Sequence, residues 1–308
     1  MNAVPRGRGL PASDGSPDGR SSGLKVCLNG RILPLAAARL SVFDRGFLFG
    51  DGIYETIRSY GGRPFRLREH LARLADSARR LDFRLPVPAG GFKRAVARVL
   101  AANGLREARI RIVVSRGAGR PELSAIGALR PTWLVYALPY APPPAAAYRD
   151  GVAAIIPSVV RNDRRAVDPA MKASSLLNNL FAARAAARAG AREAIMLNPA
   201  GFVAEAASAN VFWVKSGVLC TPALECGILA GITRNLVLDL ARRLGIPVRG
   251  GAFRPDAILR ADEAFVTAST IEILPLKSLG RRRYPRARPV TRALELAYRV
   301  TVRAELGL

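Results

Sequence analysis

Histidine is nearly missing from this chain. One residue of 308, His70, carries an imidazole, so a Ser-His-Asp hydrolase would have to be built around that single ring, and no His-rich metal shell is available. Cysteine is scarce as well: Cys27, Cys220 and Cys226 are scattered and odd in number, which argues against a zinc site or a disulfide framework and points to reduced thiols in the cytoplasm. No apolar run approaches the roughly 20 residues that cross a bilayer, so no membrane partner is expected. Residues 1–23, rich in Gly, Pro, Ser and Arg, lack the apolar centre of a secretion signal and read as a disordered extension. Aromatic residues make up 6% of the chain and do not interleave with the basic ones. The 48 basic against 23 acidic side chains give a net charge of +25, which by itself would suggest a polyanion partner. The arginines are instead spread over nearly every expected helix, and Arg281-Arg282-Arg283 cluster in a single loop. A drift of composition toward Arg and Ala accounts for the charge without a nucleic-acid groove.

Lysine is the rare basic residue: Lys25, Lys93, Lys172, Lys215 and Lys277 are the whole set. Arginine keeps its proton at working pH, whereas a desolvated lysine can lose it and act as a nucleophilic amine. Four of the five lie in polar or strand-edge contexts that suit a solvated charge. Lys172, in Asp168-Pro169-Ala170-Met171-Lys172-Ala173-Ser174-Ser175-Leu176-Leu177, stands at the start of an apolar, Ala-rich run expected to be helical as far as about Ala189.

A hydrophobic content of 50% with 23% charged residues is that of a globular chain, long enough for two cores. An N-terminal α/β domain is expected over residues 24–138. It opens with a hairpin, Leu24 to Leu33, turning at Asn29-Gly30. A glycine-punctuated strand region from Phe49 to Arg58 follows, then an amphipathic helix from Arg66 to Leu81 with Leu67, Leu71, Leu74 and Leu81 on one side. A second helix covers about Gly91 to Asn103, and strands are expected at Ala108–Ser115 and Thr132–Leu138. In the first of these, alternation sets Ile110, Ile112 and Val114 on one face and the guanidinium groups of Arg109 and Arg111 on the other. Residues 139–150, centred on Pro142-Pro143-Pro144, read as a linker. The second domain, 151–308, is expected to hold a strand at Val152–Ile156, the Lys172 helix, and a meander from Glu193 to Leu219. A helix at Thr233–Leu244, a strand at Glu263–Ala268 and a C-terminal helix from about Val290 to Glu305 complete it.

An amine alone names no cofactor. Pyridoxal 5′-phosphate asks three things of a protein: an amine for an imine bond, an anion site, and a carboxylate that keeps the pyridine nitrogen protonated. The stretch Gly227-Ile228-Leu229-Ala230-Gly231-Ile232-Thr233-Arg234 reads as a glycine turn opening on a helix N-terminus, where N–H groups and the helix dipole suit an anion.

Six segments, in this order, carry a family likeness. They are Asp44-Arg45-Gly46-Phe47-Leu48-Phe49-Gly50-Asp51-Gly52, Glu69-His70-Leu71-Ala72-Arg73-Leu74, Lys172, Glu205-Ala206-Ala207-Ser208-Ala209-Asn210-Val211-Phe212, Gly231-Ile232-Thr233-Arg234, and Thr267-Ala268-Ser269-Thr270-Ile271-Glu272. With them the chain resembles the class IV aminotransferases, the fold-type IV pyridoxal-phosphate enzymes, from Leu24 almost to the C-terminus. The resemblance implies an α/β (α+β) fold, a small N-terminal domain with a larger C-terminal pseudo-barrel, and a homodimer. It implies that Lys172 holds the cofactor as an imine and then moves the substrate proton, and that Arg73 grips the phosphate with Ile232, Thr233, Ser269 and the Ala268 peptide. Glu205 would pair with the pyridine nitrogen, Tyr54 would face cofactor and substrate, and Arg111, with Arg109 beside it, would bind a substrate carboxylate. His70 falls in a structural part of its motif, and Asp51 and Glu55 read as turn or strand residues.

The implied activity is transfer of an amino group between an amino acid and a 2-oxo acid, with branched-chain L-amino acids first, given Arg111 and Gly231-Ile232-Thr233-Arg234. Leu176 stands where branched-chain relatives commonly carry a tyrosine, and Arg120-Pro121-Glu122 stands where D-specific relatives carry Arg-x-His, so neither subfamily signature is intact, and D-amino acids or primary amines stay open. A lyase of the same fold, 4-amino-4-deoxychorismate lyase, is the alternative reaction.

Overall fold

The computed structural model describes residues 23–124 and 129–308; the expected extension, Gly23 apart, lies outside them. Asn29 and Gly30 take φ of 49° and 86°, the left-handed pair that a two-residue turn between twisted strands requires. They join β1 (Lys25–Leu28) to β2 (Arg31–Pro34) as the sequence suggests. The strand expected from Phe49 starts later. Asp44 accepts a hydrogen bond from Gly46 N at 2.8 Å, Gly50 adopts the left-handed conformation, and between these caps Arg45–Phe49 forms a short helix, α1. β3 (Gly52–Tyr60) follows, with β4 (Arg63–Pro64) at its end.

Helices α2 (Leu67–Arg80) and α3 (Ala89–Ala102) cover one face of an antiparallel sheet completed by β5 (Ala108–Ser115) and β6 (Thr132–Pro139), in the order β2-β1-β6-β5-β3-β4. Leu71, Leu74, Phe92 and Val96 pack there against Ile53, Ile57, Ile110 and Ile112. Each such side chain contributes roughly 1.5–3 kcal/mol by leaving water. Alternation then turns Thr56, Arg111 and Tyr136, aligned in register across β3, β5 and β6, to the opposite face.

The segment 139–150 is not free of structure: Ala145–Asp150 is a helix, α4, directly after Pro144. The prolines forbid a helix through themselves, but Ala145-Ala146-Ala147 are the best of helix formers. A second, mixed sheet contains β7 (Val152–Ile155), β8 (Glu193–Leu197), β9 (Val203–Ala206), β10 (Asn210–Lys215) and β11 (Val218–Pro222). Its remaining strands are β12 (Val248–Gly251), β13 (Glu263–Ala268), β14 (Glu272–Leu279) and the short β15 (Arg282–Arg283). The order is β12-β11-β10-β13-β14-β7-β8-β9, with β15 on β14. β9, at one end, also packs against β10 and β11, so the sheet curls back on itself. Helix α5 (Leu177–Arg188) lies on β8, α6 (Ile232–Arg243) and α8 (Pro289–Leu306) cover the stacked rings of Phe212 and Phe265, and α7 (Pro255–Leu259) caps the inner core through Ile258. Among the described residues no helix is long and apolar enough to cross a membrane.

Lys172 lies outside the helix expected of it, because α5 begins only at Leu177. Its neighbours pair with the start of β3 instead: Tyr54 N donates to Lys172 O at 3.0 Å, Ser174 N donates to Gly52 O at 2.8 Å, and Ala173 bridges Ile53. A tertiary strand contact overrides the helix preference of the alanines.

Candidate active site

A cavity of about 560 Å³ opens between the exposed face of the first sheet and the curled second sheet. Lys172 lies on its wall together with Arg73 and Glu205. The N-terminus of α6 contributes Ile232 and Thr233, the end of β13 and its following turn contribute Ala268 and Ser269, and the first sheet contributes Tyr54, Arg109 and Arg111. The ten residues singled out in the sequence thus meet in one place.

The backbone pairing with β3 fixes Lys172 from one side, and Ser77 Oγ of α2 accepts its N–H at 3.1 Å from the other. Its half-buried side chain ends 4.6 Å from the centroid of the Tyr54 ring and forms no ion pair among the described residues. The amine is held in reach of the cavity with no carboxylate to neutralise it.

Arg73 is aimed by a carboxylate underneath it. Glu55 is the one acid on the helix-facing side of β3, between Ile53 and Ile57, and is fully buried. Its oxygens accept from Arg73 Nε at 2.7 Å and Nη2 at 2.8 Å, and from His70 Nδ1 at 2.7 Å. His70 and Arg73, three residues apart on α2, share the face that meets it. Burial works to raise the Glu55 pKa, but the Arg73 guanidinium and the hydrogen bonds from Arg73 and His70 outweigh it and bring it down to about 2. Burial also lowers the His70 pKa, so the ring is neutral, donates from Nδ1 and accepts at Nε2 from Ser269 Oγ, 3.3 Å away. A chain of contacts therefore runs Arg73, Glu55, His70, Ser269 along one side of the cavity.

Glu205 sits at the other end of the cavity, 6% exposed. Arg161 Nε and Nη2 lie 3.1 and 2.9 Å from Oε1, while Asn210 Nδ2 and Leu229 N donate to Oε2 at 3.2 and 3.0 Å. Burial pushes its pKa up, opposed by Arg161, the Leu229 N–H and Lys172. Asn210 also donates to Leu229 O at 2.9 Å, and its Oδ1 lies so close to Gly231 that an added Cβ would sit 1.9 Å away. Only glycine lets the α6 N-terminus approach this network. That terminus has no side-chain cap, and its first internal acceptor bond is Asn235 N to Gly231 O, so the N–H groups of Ile232 and Thr233 open unspent on the cavity.

Other donors are unspent too. Among the described residues, buried Thr267 Oγ1 has no partner and the Ser269 and Thr270 N–H groups have no acceptor, and all three residues line the cavity. Among the described residues the Arg111 side chain hydrogen-bonds only Thr56 Oγ1, at 3.1 Å, while its guanidinium covers the Tyr54 ring 3.7 Å from the centroid. Arg109 is exposed. Neither has a carboxylate partner among the described residues, whereas Glu55 balances Arg73 and Glu205 balances Arg161. The cavity is a surplus of cation and N–H donors around one free amine, with a buried carboxylate at one end. It suits a ligand with an anionic tail, a carbonyl and a protonatable ring nitrogen.

Glu55, Arg161 and Asn210 did not stand out in the sequence as site residues. Glu55 had a usable signal, since an acid at an inward strand position must find partners and His70 and Arg73 are spaced to supply them. Arg161 had none: it is one arginine in a chain crowded with them.

Residues 52–279 match the family model described as amino-transferase class IV. A Methanocaldococcus jannaschii protein provisionally named a branched-chain-amino-acid aminotransferase is 40% identical over 259 residues, 84% of this chain and 89% of its own. The aminodeoxychorismate lyase of Bacillus subtilis is 32% identical over 90% of this chain and 94% of its own. The crystal structure of the branched-chain amino acid aminotransferase from Thermobaculum terrenum, in its PLP-bound holo form, superposes with a TM-score of 0.84 at 29% identity, covering 92% of this chain and 95% of that one. With the matched region taking in most strands of both sheets and every residue that lines the cavity, the chain belongs to the class IV aminotransferase family.

Proposed function

We propose that the protein is a pyridoxal-phosphate-dependent aminotransferase that moves an amino group between an amino acid, a branched-chain L-amino acid first, and a 2-oxo acid. The observation that carries this reading is the free amine of Lys172 in one cavity with the Glu205 carboxylate and an uncapped helix N-terminus. The donor set fits the cofactor: Arg73, Ile232, Thr233, Ser269 and the Ala268 peptide would hold its phosphate, Glu205 its ring nitrogen, and Lys172 its aldehyde carbon. When bound, that group supplies an electron sink that acidifies the substrate Cα–H.

The remaining work falls to the chain's own residues. Lys172 Nζ would act as the base that takes the proton from the substrate Cα and delivers it to the carbon that carried the cofactor aldehyde. The Tyr54 ring, 4.6 Å from Nζ, limits where that amine can swing. Glu205, held from behind by Arg161, which opposes the upward push of burial on its pKa, would stand as the partner of the ring nitrogen. Arg111 and Arg109 bind the substrate carboxylate, and Val167, Met171, Leu176 and Leu180 give the cavity an apolar wall for an aliphatic side chain. The assembly is a homodimer: the exposed side chains of Leu40, Val42, Phe43 and Phe47 gather in one segment and suit a second copy. The three free, buried cysteines suit a reducing cytoplasm.

A half-reaction tests the proposal. Mixing the cofactor-loaded protein with leucine alone should convert the cofactor absorbance to that of pyridoxamine phosphate and release the 2-oxo acid once per site. Release of pyruvate from aminodeoxychorismate, with no change on adding leucine, would make it a lyase instead.

A further inference from the structure

The turn between β13 and β14 is held from outside its own sheet. Ala268, Ser269, Thr270 and Ile271 line the cavity, and the N–H groups of Ser269 and Thr270 are without acceptors among the described residues. The Ser269 N–H shares its peptide plane with Ala268 O, which accepts from Ile271 N at 3.1 Å, and the plane of that Ile271 N–H is tied down on the far side through Thr270 O. Thr270 O accepts from the Tyr140 hydroxyl at 2.6 Å, and Ile271 O accepts from the Tyr148 hydroxyl at 3.4 Å. Glu272, the first residue of β14 after the turn, has a φ of 54°, a left-handed backbone unusual outside glycine. Its carboxylate is ion-paired with Arg58 and accepts from the Tyr60 hydroxyl at 2.9 Å.

Arg58 lies in β3 of the first sheet, and its guanidinium is sandwiched between the rings of Tyr60 and Tyr140, 4.0 Å from each centroid. Both ends of the pair are largely out of water, the Arg58 and Glu272 side chains each being 13% exposed. A planar cation stacked on two rings and bonded to a carboxylate leaves the turn few alternatives. The clamp joins the first sheet to the second at the rim of the cavity.

We propose that Arg58 and Glu272 are positioning residues for the anion bound at this turn: they set its peptide planes so that the Ser269 and Thr270 N–H groups face the cavity. The inference rests on the aminotransferase reading of the site and adds to it residues that touch neither cofactor nor substrate. The shared chemistry is an oxyanion, either the cofactor phosphate or the substrate carboxylate. Rigid, aligned N–H donors favour such a group far more than mobile ones.

Glu272→Gln removes the charge from the clamp and keeps its shape, while Tyr140→Phe removes only the hydroxyl at Thr270 O. Three quantities are measured: affinity of the apoprotein for pyridoxal phosphate, its affinity for pyridoxal, and the KM for leucine at saturating cofactor. Glu272→Gln should weaken one anion by about tenfold, the size typical of supporting contacts. A loss for pyridoxal phosphate that spares pyridoxal places the phosphate at the turn. A rise in KM with kcat within about twofold of wild type places the carboxylate there. Tyr140→Phe should show the same change at smaller size, and it decides the matter if circular dichroism shows Glu272→Gln unfolded. Affinities and KM all unchanged, or equal losses for pyridoxal phosphate and pyridoxal, overturn the clamp. Wild-type protein that binds no pyridoxal phosphate overturns the clamp together with the aminotransferase reading, whereas normal wild-type binding with unchanged variants overturns the clamp alone.

Discussion

Arg161 and Glu205 form a buried pair at one end of the cavity, with Nη2 and Nε 2.9 and 3.1 Å from a single carboxylate oxygen. The other oxygen is taken by Asn210 and the Leu229 N–H, so the carboxylate is fully surrounded by donors. Removing one member strands the other in a medium that cannot solvate it. Arg161→Met should lower unfolding stability by about 3–5 kcal/mol. The double variant Arg161→Met, Glu205→Leu should recover most of that loss while transamination stays abolished. Urea unfolding of the three proteins checks it, and a double variant no more stable than the single one would show that the charge pair is not the cause.

Acid should release Arg73 from its support. The Glu55 pKa is about 2 in the folded protein against an ordinary 4.5, so the folded state binds this proton less readily than the unfolded chain. The stabilisation is complete above pH 4.5 and is lost as the pH falls toward 2. It amounts to about 3 kcal/mol. Burial of His70 acts in the same direction below its ordinary value of 6.5. Glu55→Gln should be less stable at pH 7 and show a flatter acid limb in thermal melts recorded from pH 7 to pH 3. A variant with the wild-type acid limb would place the acid sensitivity elsewhere.

Much of the fold is legible in the sequence where one local signal dominates. Asn29-Gly30 dictates the first hairpin, and the alternation of Ala108–Ser115 gives β5 to the residue. Elements are missed where tertiary contacts overrule the local pattern. β14 contains Pro275, which argues against a strand, yet its missing N–H is tolerated opposite Phe265. The Ala-rich run after Lys172 looks helical from its start, but its first residues pair with β3. In the candidate site the same division holds. Lys172 stands out because lysine is rare, and Arg73 because a motif carries it. Arg161 is lost among similar residues, and only the buried contact with Glu205 distinguishes it.

Glu193 predicts a pH dependence of opposite sign. This residue of β8 is 7% exposed, its carboxyl has no hydrogen bond among the described residues, and burial pushes its pKa up to about 7 against weak opposition from Arg192. The folded state holds the proton more tightly than the unfolded chain, so stability falls as the pH rises from 4.5 to 7 and levels off above. The loss is about 3 kcal/mol. Glu193→Gln should therefore match wild type at pH 4 and exceed it at pH 8. Equal stability of the two proteins at pH 8 would mean that the carboxyl finds a partner in solution.

Arg111 is the half-buried guanidinium on the cavity face of the first sheet, stacked on Tyr54 and, among the described residues, bonded only to the Thr56 hydroxyl. Arg111→Ala should raise KM for amino acid and 2-oxo acid by about ten- to a hundredfold, and Arg111→Lys should recover only part, for want of a planar fork. Arg109→Ala should cost less, since that side chain is exposed. Steady-state kinetics on both substrates checks the order, and an Arg111→Ala enzyme with unchanged KM would remove this residue from substrate binding.

The covalent role of Lys172 is open to one direct measurement. The protein is incubated with pyridoxal phosphate, the linkage is reduced with borohydride, and the digested peptides are weighed by mass spectrometry. With only five lysines in the chain, each candidate peptide is separately identifiable. The reduced adduct should appear on the peptide carrying Lys172 at one per chain. An adduct on another lysine, or none at all, would contradict the account.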